Sequence, residues 1–492
     1  MAASVFKAAL LSRFNFPSSK YWFRVNMNTL TLVAVFALGV MFTCIVSIMT
    51  LYIQKEISFM EVDRTKEDLI ANRRKILEKS QKFVMVPGES QLSVGDTELS
   101  VDPAAYLSPA AETSKKKNKD ANTLEALGAL HAAVEMQKSG KHSKALKLFS
   151  HALALDPEHP DILNHYGEFL EETERNLLDA DYHYSRALTF SPNHMRALEN
   201  HQRTSPIVDE LDNSLLKRID QKRDDLLNTP DSSSGLRRIK KEAYFQYIYH
   251  TLGIEGNTMT LAQTRTIVET RMAVGGKSIM EHNEVLGLDA ALKYINSTLV
   301  HRIGAITFED ILEIHRRVLG FVDLFEGGRL RSTQVFVGNH IPPGPSEVQL
   351  LMKDFVRWLN SAESLSQHPI RFAALAHYKL VYIHPFSDGN GRTSRLLMNL
   401  ILMQSGYPPV IIRKQDRAKY YDYLQQANEG DVRPFIRFIA HCAEQTLDVY
   451  LWATTEHRTS IAELAQEDDG KTIIVDQQNC CIVVVIICDN RN

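Results

Sequence analysis

Twelve consecutive residues, 384–395, constrain the fold and the chemistry of this chain more than any other stretch. They read His-Pro-Phe-Ser-Asp-Gly-Asn-Gly-Arg-Thr-Ser-Arg. An apolar run with helical spacing precedes them over residues 372–383, and apolar residues recur at helical spacing after them until Gly406 and Pro408 end the pattern. The stretch is therefore predicted to be a loop that leads into the N-terminus of a helix.

The glycines and arginines of this stretch favour phosphate binding. Gly389, Asn390 and Gly391 can form a tight backbone turn, because glycine adopts positive φ at little cost. The N–H groups of such a turn, and of the first turn of a helix, attract phosphate oxygens. Arg392 and Arg395 are three residues apart and share one helix face, and a guanidinium group binds phosphate through two parallel hydrogen bonds. An anion-binding site is predicted here.

The same stretch contains a metal ligand and a base. Asp388 offers hard oxygen atoms of the kind that hold the Mg²⁺ of a nucleotide. His384, four residues earlier, can accept a proton near neutral pH. Phe386 lies between them and is expected to anchor the loop in the core. A surface turn with incidental charges is the alternative, but the full combination favours a site for phosphate transfer.

The stretch matches the signature HxFx(D/E)GNGRxxR without departure, and the chain therefore resembles the Fic-domain family. The resemblance implies a helical domain that transfers AMP from ATP to a hydroxyl group of a target protein. It implies that His384 is the general base and that Asp388 binds Mg²⁺ or Mn²⁺. Residues 389–391 would form the anion hole, and Arg392 and Arg395 would hold the nucleotide phosphates.

A second segment, Thr251-Leu-Gly-Ile-Glu-Gly-Asn, closes a helix that is predicted to start near Arg238. Its Glu255 carboxylate faces the negative end of the helix dipole and needs a cation elsewhere. The segment is similar to the inhibitory motif (S/T)xxxE(G/N) of Fic proteins, in which the glutamate pairs with the second arginine of the signature, here Arg395. The resemblance also implies that Glu255 takes part in removing AMP from the target. An ordinary exposed glutamate beside a glycine is the alternative.

The resemblance extends to two further segments. Residues 333–342 alternate in character around a central Gly-Asn pair, which predicts a β-hairpin. In Fic proteins a flap of this kind covers the active site and aligns the target segment by strand pairing; a plain structural hairpin is the alternative. The flap residues are Thr333, Gln334, Val335, Phe336 and Val337. Tyr420, Tyr421 and Asn428 resemble family positions around the adenine, although tyrosines on a helix are usually core residues.

An uncharged run over residues 25–54 predicts a membrane span. Its core from Leu30 to Ile53 would form a helix about 36 Å long, against a hydrocarbon thickness of about 30 Å, and it is too long for a cleaved signal peptide. The charged residues of the tail 1–24 are all basic, which favours a single-pass type II orientation with the catalytic part in the lumen. Asn296, in the only N-glycosylation sequon of the chain, fits that side of the membrane.

An internal repeat relates residues 149–157 to residues 184–192, with an offset of 35 residues. Each copy follows another helical segment, and the pattern resembles the tetratricopeptide repeat, whose period is about 34 residues. Two repeats are fewer than the three that independent stability usually needs. They are therefore expected to pack against a helix from about Met195 to Leu216. A protein-docking surface and a packing spacer are both compatible with the pattern.

The chain is predicted to be all-α, apart from the small flap hairpin. The predicted order is a short cytosolic tail 1–24, a transmembrane signal anchor 25–54, a stalk 55–120, two tetratricopeptide repeats 121–193, a linker helix 194–235, the Fic domain 236–455 and a C-terminal tail 456–492. The formal net charge of −3 favours no nucleic-acid partner.

This order resembles the membrane-anchored Fic proteins of the metazoan endoplasmic reticulum. The resemblance implies residence in the membrane of that organelle, homodimer formation, and the luminal Hsp70 chaperone BiP as the target. Two alternatives stay open at this point: a Fic transferase that uses another nucleotide or phosphocholine, and a repeat-based adaptor with a silent Fic core.

Overall fold

The computed structural model describes residues 64–80, 115–230 and 232–454. The described residues from 66 onward belong to one compact unit. The predicted N-terminal tail, membrane span, most of the stalk and the C-terminal tail lie outside the described residues. Within the described ranges, no helix combines the length and the apolar character that a membrane crossing requires.

Helices form almost all the regular structure of the described residues, which confirms the prediction of a helical fold. They are α1 (residues 64–80), α2 (Lys115–Lys138), α3 (His142–Leu155), α4 (Pro160–Glu172), α5 (Leu177–Phe190), α6 (Met195–Leu227), α7 (Ser234–Glu255), α8 (Leu261–Thr270), α9 (Ile279–Tyr294), α10 (Phe308–Leu319), α11 (Pro345–Leu359), α12 (Ala362–Ser366), α13 (Pro369–Ile383), α14 (Asn390–Met403), α15 (Arg417–Asn428) and α16 (Arg433–Thr454).

Helices α2 to α5 pack as two successive pairs and have a core of their own. Ala133, Ala145 and Ala152 are fully buried in it, because a methyl side chain lets two helices approach closely. Phe149 fills the centre, with its ring centroid 5.0 Å from that of Phe169. The two pairs occupy the segment in which the sequence repeats, and their identification as tetratricopeptide repeats stays a prediction.

Helix α6 joins this core to the main one. Ala197, near its N-terminus, packs on the repeat helices in a small buried cluster. Ile219 and Leu226, near its C-terminus, belong to the main core. The helix runs to Leu227, beyond its predicted end near Leu216, because these two apolar residues extend its buried stripe.

Helices α13 and α14 form the centre of the main core, and α10, α7 and α9 pack around α14. Every residue of α14 except Gly391 is buried, including the polar residues of its first turn. A helix surrounded in this way is stable because the apolar residues of its later turns face neighbours on all sides. The N-terminus of α14 is therefore held rigidly inside the domain.

The structure does not show the predicted β-hairpin over residues 333–342 as a pair of strands. The described residues contain no β-strand, and this segment has a single antiparallel bridge between Val337 and His340, with both N–H···O distances at 3.0 Å. Phe336 and Ile341, which flank the bridge, are 71% and 67% exposed, so no apolar face stabilises longer strands. Pro342 follows directly and lacks the N–H group that a further ladder bond requires.

Candidate active site

The predicted loop and helix N-terminus are confirmed over residues 384–395. Helix α13 ends at Ile383, and His384 turns the chain with φ +49° and ψ +61°. The side chain of Asn390, the first residue of α14, closes the loop on Phe386: its Oδ1 accepts from the Phe386 N–H at 3.0 Å and its Nδ2 donates to the Phe386 carbonyl at 2.9 Å. Both polar atoms of the Asn390 side chain are therefore bonded within the loop. An anion at this turn would bind to backbone N–H groups.

His384 is oriented to act as a base. Its Nδ1 lies 3.1 Å from the Val381 carbonyl, so this nitrogen carries the proton and donates it, and Nε2 keeps its lone pair. Burial lowers the pKa of His384; the Val381 carbonyl opposes this shift and the charge of Arg331 adds to it. The imidazole is therefore neutral at pH 7 and can accept a proton at Nε2.

Arg331, which no sequence pattern indicates, stabilises the loop that contains His384 and Pro385. Its Nε donates to the His384 carbonyl at 2.7 Å and its backbone N–H to the Pro385 carbonyl at 2.9 Å. The same guanidinium donates to the carbonyls of Thr333 and Pro343 at 2.9 and 2.5 Å. One side chain, 4% exposed, thus holds both ends of the 333–342 segment against the loop that carries His384.

His315, also missed from sequence, supports the loop from α10. The Phe386 ring is fully buried and stacks on the imidazole of His315, with centroids 3.7 Å apart and planes at 4°. Nδ1 accepts from the Gly328 N–H at 2.9 Å, so Nε2–H donates to the Asp388 carbonyl at 2.9 Å. Burial lowers the pKa of His315 to about 4, which keeps it neutral. A lone histidine on an apolar helix face gives no sequence signal for this role.

Asp388 is the exposed acid of the site. Its side chain is 66% exposed, and its Oδ2 accepts from Arg392 Nη2 at 2.7 Å. Partial burial would raise the pKa of Asp388, but the charge of Arg392 and the Gly389 N–H group lower it, so the carboxylate is ionised at neutral pH. An exposed, ionised carboxylate suits Mg²⁺, which takes most of its ligands from water and phosphate. The described residues contain no group of three or more His, Cys, Asp or Glu side chains that could hold a metal ion by themselves.

Helix α7 places Glu255 next to residues 384–395. The helix starts at Ser234, earlier than predicted, because the Ser233 hydroxyl caps it by accepting from the Leu236 N–H at 3.2 Å. It ends at Glu255, where Gly256 takes φ +104° and a backbone bond closes the last turn. This left-handed position is the reason why a glycine follows the glutamate.

Glu255 pairs with Arg395, as its similarity to the inhibitory motif implies. Its Oε1 accepts from Arg395 Nη2 at 2.5 Å, and the guanidinium is almost completely buried. Burial by itself would lower the pKa of Arg395, but the negative charge of Glu255 opposes this effect, and the net result is a raised pKa. A Cβ atom at Gly391 would lie only 2.5 Å from Glu255 Oε1. The carboxylate therefore lies over the glycine turn, where an anion would bind.

The residues assigned to the adenine separate into two environments. Tyr420 is 1% exposed. Its hydroxyl accepts from Arg395 Nη1 at 3.3 Å and lies 3.0 Å from His377 Nε2, so it helps to fix the buried guanidinium group. Tyr421 is 38% exposed, and its hydroxyl lies 3.4 Å from Glu255 Oε2. Asn428 ends α15 and lies about 10 Å along the helix axis from Tyr421. The adenine contacts stay predictions.

Two more residues that the sequence analysis missed connect the glutamate segment with the signature. Glu284, on α9, accepts from Arg392 Nη1 at 3.3 Å through Oε1. Through Oε2 it accepts from Asn257 Nδ2 at 2.7 Å. Both contacts join residues that are distant in sequence, so no local pattern reveals them. The site thus combines a neutral base, a helix N-terminus, two buried guanidinium groups and an ionised acid, which are the parts that phosphate transfer requires.

Comparison with known proteins agrees with this geometry. Residues 305–402 match the model of the Fic/DOC family. The chain is 61% identical over 357 residues to the protein adenylyltransferase Fic of Aedes aegypti, covering 72% of each chain. It is 59% identical over 362 residues to the protein of the same name in Drosophila melanogaster, covering 74% of this chain and 73% of that one. The solved structure of Fic-1 from C. elegans superposes with a TM-score of 0.62 at 46% identity, covering 67% of this chain and 98% of that chain.

Proposed function

Because this chain belongs to the Fic/DOC family and is a protein adenylyltransferase, we propose that residues 384–395 transfer AMP from ATP to a serine or threonine hydroxyl and that Glu255 controls the reaction. The observation that carries the proposal is the hydrogen bond from His384 Nδ1 to the Val381 carbonyl. It leaves Nε2 as a proton acceptor in the loop that leads into α14, whose first turns carry two buried arginines.

In the proposed transfer, His384 Nε2 takes the proton of the target hydroxyl. The hydroxyl oxygen attacks the α-phosphorus of ATP, the bond from that phosphorus to the bridging oxygen breaks, and pyrophosphate leaves. The N–H groups at the start of α14 and the guanidinium groups of Arg392 and Arg395 stabilise the charge on the phosphate oxygens. Asp388 would hold Mg²⁺ or Mn²⁺, which neutralises phosphate charge when bound.

Glu255 is proposed to inhibit this transfer. It occupies Arg395 at 2.5 Å and lies over Gly391, so a triphosphate in the attacking pose competes with it for the same cation and the same turn. A buried guanidinium needs an anionic partner, because an unpaired buried charge is costly. Arg395 can exchange one carboxylate for one phosphate, and this exchange is the proposed switch.

Glu255 is also proposed to serve the removal of AMP from a modified target. An AMP group carries no γ-phosphate, so Arg395 can keep its carboxylate partner. Glu255 would then orient a water molecule toward the phosphorus and accept its proton, and the minor fraction of His384 that carries a proton on Nε2 would give it to the hydroxyl oxygen that leaves. The closeness of Glu255 to the N-terminus of α14 supports this second reaction.

The partners and the location are proposed from the resemblance in domain order. The target would be the luminal Hsp70 chaperone BiP, the chain would form a homodimer, and residues 25–54 would anchor it in the endoplasmic-reticulum membrane with the catalytic part in the lumen. The two helix pairs α2–α5 would supply a docking surface, and α6 would fix their position relative to the site.

The proposed chemistry is tested by removing the base in a background from which inhibition has been removed. In Glu255→Gly protein, the further change His384→Ala should lower incorporation of label from α-labelled ATP into protein by at least about 10²-fold, the usual contribution of a general base. Circular dichroism confirms that both variants are folded. Transfer at a near-normal rate by folded Glu255→Gly/His384→Ala protein would exclude His384 as the base.

A further inference from the structure

Arg392, the first arginine of the signature, lies between two carboxylates. Its side chain is almost completely buried, and it donates to Asp388 at 2.7 Å and to Glu284 at 3.3 Å. Asp388 belongs to the same loop and is largely exposed. Glu284 comes from the middle of α9 and is mostly buried, so it reaches Arg392 from another part of the domain.

The second oxygen of Glu284 holds Asn257, two residues after Glu255. Asn257 Nδ2 donates to Glu284 Oε2 at 2.7 Å and to the Glu281 carbonyl at 3.1 Å. The backbone N–H of Asn257 donates to the Leu252 carbonyl at 3.1 Å and closes the last turn of α7. Asn257 therefore helps to fix the last turn of α7, and with it the Glu255 carboxylate, together with the bond from Arg417 Nε to the Ile254 carbonyl at 2.7 Å.

Three connections thus run from residues 251–257 to one face of α14. Two are direct, from Arg395 to the Glu255 carboxylate and to the Thr251 carbonyl at 3.1 Å, and the third passes from Asn257 through Glu284 to Arg392. Both direct connections depend on Arg395, so the connection through Glu284 is the one of these three that holds residues 251–257 independently of the Arg395 side chain.

We propose that Glu284 is a positioning residue that holds the last turn of α7, through Asn257, in the position in which Glu255 binds Arg395. This inference rests on the proposed inhibitory role of Glu255. It predicts that Glu284 acts on the transfer reaction only while Glu255 is present. A carboxylate that merely neutralises Arg392 would act whether Glu255 is present or not.

The most specific variant is Asn257→Asp, which keeps the shape of the side chain and replaces its donor by a carboxylate that faces Glu284. In the full chain in detergent-opened microsomes, incorporation of label from α-labelled ATP into protein should rise about fivefold, the population shift that the loss of one net hydrogen bond produces. In the Glu255→Gly background, the same change should have no effect on incorporation, because no carboxylate is left to hold.

The double variant Asn257→Asp/Glu284→Gln is the matched rescue. The amide introduced at position 284 can donate to the carboxylate introduced at position 257 and accept from Arg392, so incorporation should fall back toward the wild-type rate. Hydrogen exchange provides a readout that needs no target: the Asn257→Asp change should speed exchange in residues 251–257 without speeding it in the repeat helices.

The outcomes separate this inference from the function on which it rests. If Glu255→Gly shows no gain over wild type, the inhibitory role of Glu255 is wrong. If Glu255→Gly gains activity but Asn257→Asp does not, the positioning role of Glu284 is wrong. It is equally wrong if Asn257→Asp changes incorporation by the same factor with and without Glu255, because Glu284 then acts on Arg392 alone.

Discussion

At the scale of single residues, the site is governed by charges that must be paired. Arg395 is buried behind Tyr420 and pairs with Glu255, and Arg392 is buried and shared by Asp388 and Glu284. Removing one partner from a buried ion pair is costly. Both arginines are therefore expected to exchange carboxylate oxygens for phosphate oxygens when a nucleotide binds, and not to stand free.

The pH dependence of transfer follows from the shifted pKa of His384. Burial holds this pKa below the ordinary histidine value of about 6.5, and the proposed transfer requires the neutral imidazole. The rate should therefore stay above half of its pH 8 value down to pH 6.5 and fall at lower pH, as the imidazole becomes protonated. The measurement is a pH–rate profile of Glu255→Gly protein at saturating ATP. A rate that has already fallen to half of its pH 8 value above pH 7 would contradict the assignment.

At the scale of helices and loops, local patterns predicted the site and distant contacts completed it. The loop and the N-terminus of α14 followed from apolar spacing, glycines and prolines within residues 372–409. Arg331, His315 and Glu284 escaped prediction because each reaches the loop from an element separated by at least fifty residues of chain. For the predicted hairpin, the local pattern was present but the distant contacts were not. Residues 333–342 alternate in character, but no apolar surface packs against them to stabilise strands.

Arg331 is expected to stabilise the fold as well as the catalytic loop. Each hydrogen bond from a charged group contributes about 1.5–3 kcal/mol, and Arg331 binds the carbonyls of His384, Thr333 and Pro343. Arg331→Ala should therefore lower the free energy of unfolding by at least about 2 kcal/mol. Urea denaturation measures it, with the exposed Arg329→Ala as the control. Equal, small effects of both substitutions would show that Arg331 is not a clamp.

At the scale of the whole molecule, the repeat helices are held to the catalytic core by buried and half-buried ion pairs. Arg433 on α16 pairs with the fully buried Asp181 on α5 at 2.7 Å, and Arg437 pairs with Asp212 on α6 at 2.6 Å. Burial would raise the pKa of Asp181, but hydrogen bonds from His201 and Thr204 and the charge of Arg433 lower it. These pairs fix the proposed docking helices relative to the site.

The proposed orientation in the membrane makes a prediction for the whole chain. Asn296 lies in the short π-helical turn Ile295–Leu299 that follows α9. If the catalytic part is luminal, the protein in cells should carry an endoglycosidase-H-sensitive glycan that is lost in Asn296→Gln. In sealed microsomes the catalytic part should resist protease. Protection of the N-terminal tail with digestion of the catalytic part would show that the orientation is reversed.

In the proposed mechanism, one carboxylate, Glu255, directs Arg395 between two opposed reactions. The most direct measurement uses a target carrying labelled AMP and records both AMP release and new AMP transfer by wild type, Glu255→Gly and His384→Ala. Wild type should release AMP, both variants should lose release, and only Glu255→Gly should transfer more AMP than wild type. If Glu255→Gly releases AMP at the wild-type rate, or transfers no more than wild type does, Glu255 does not direct the site.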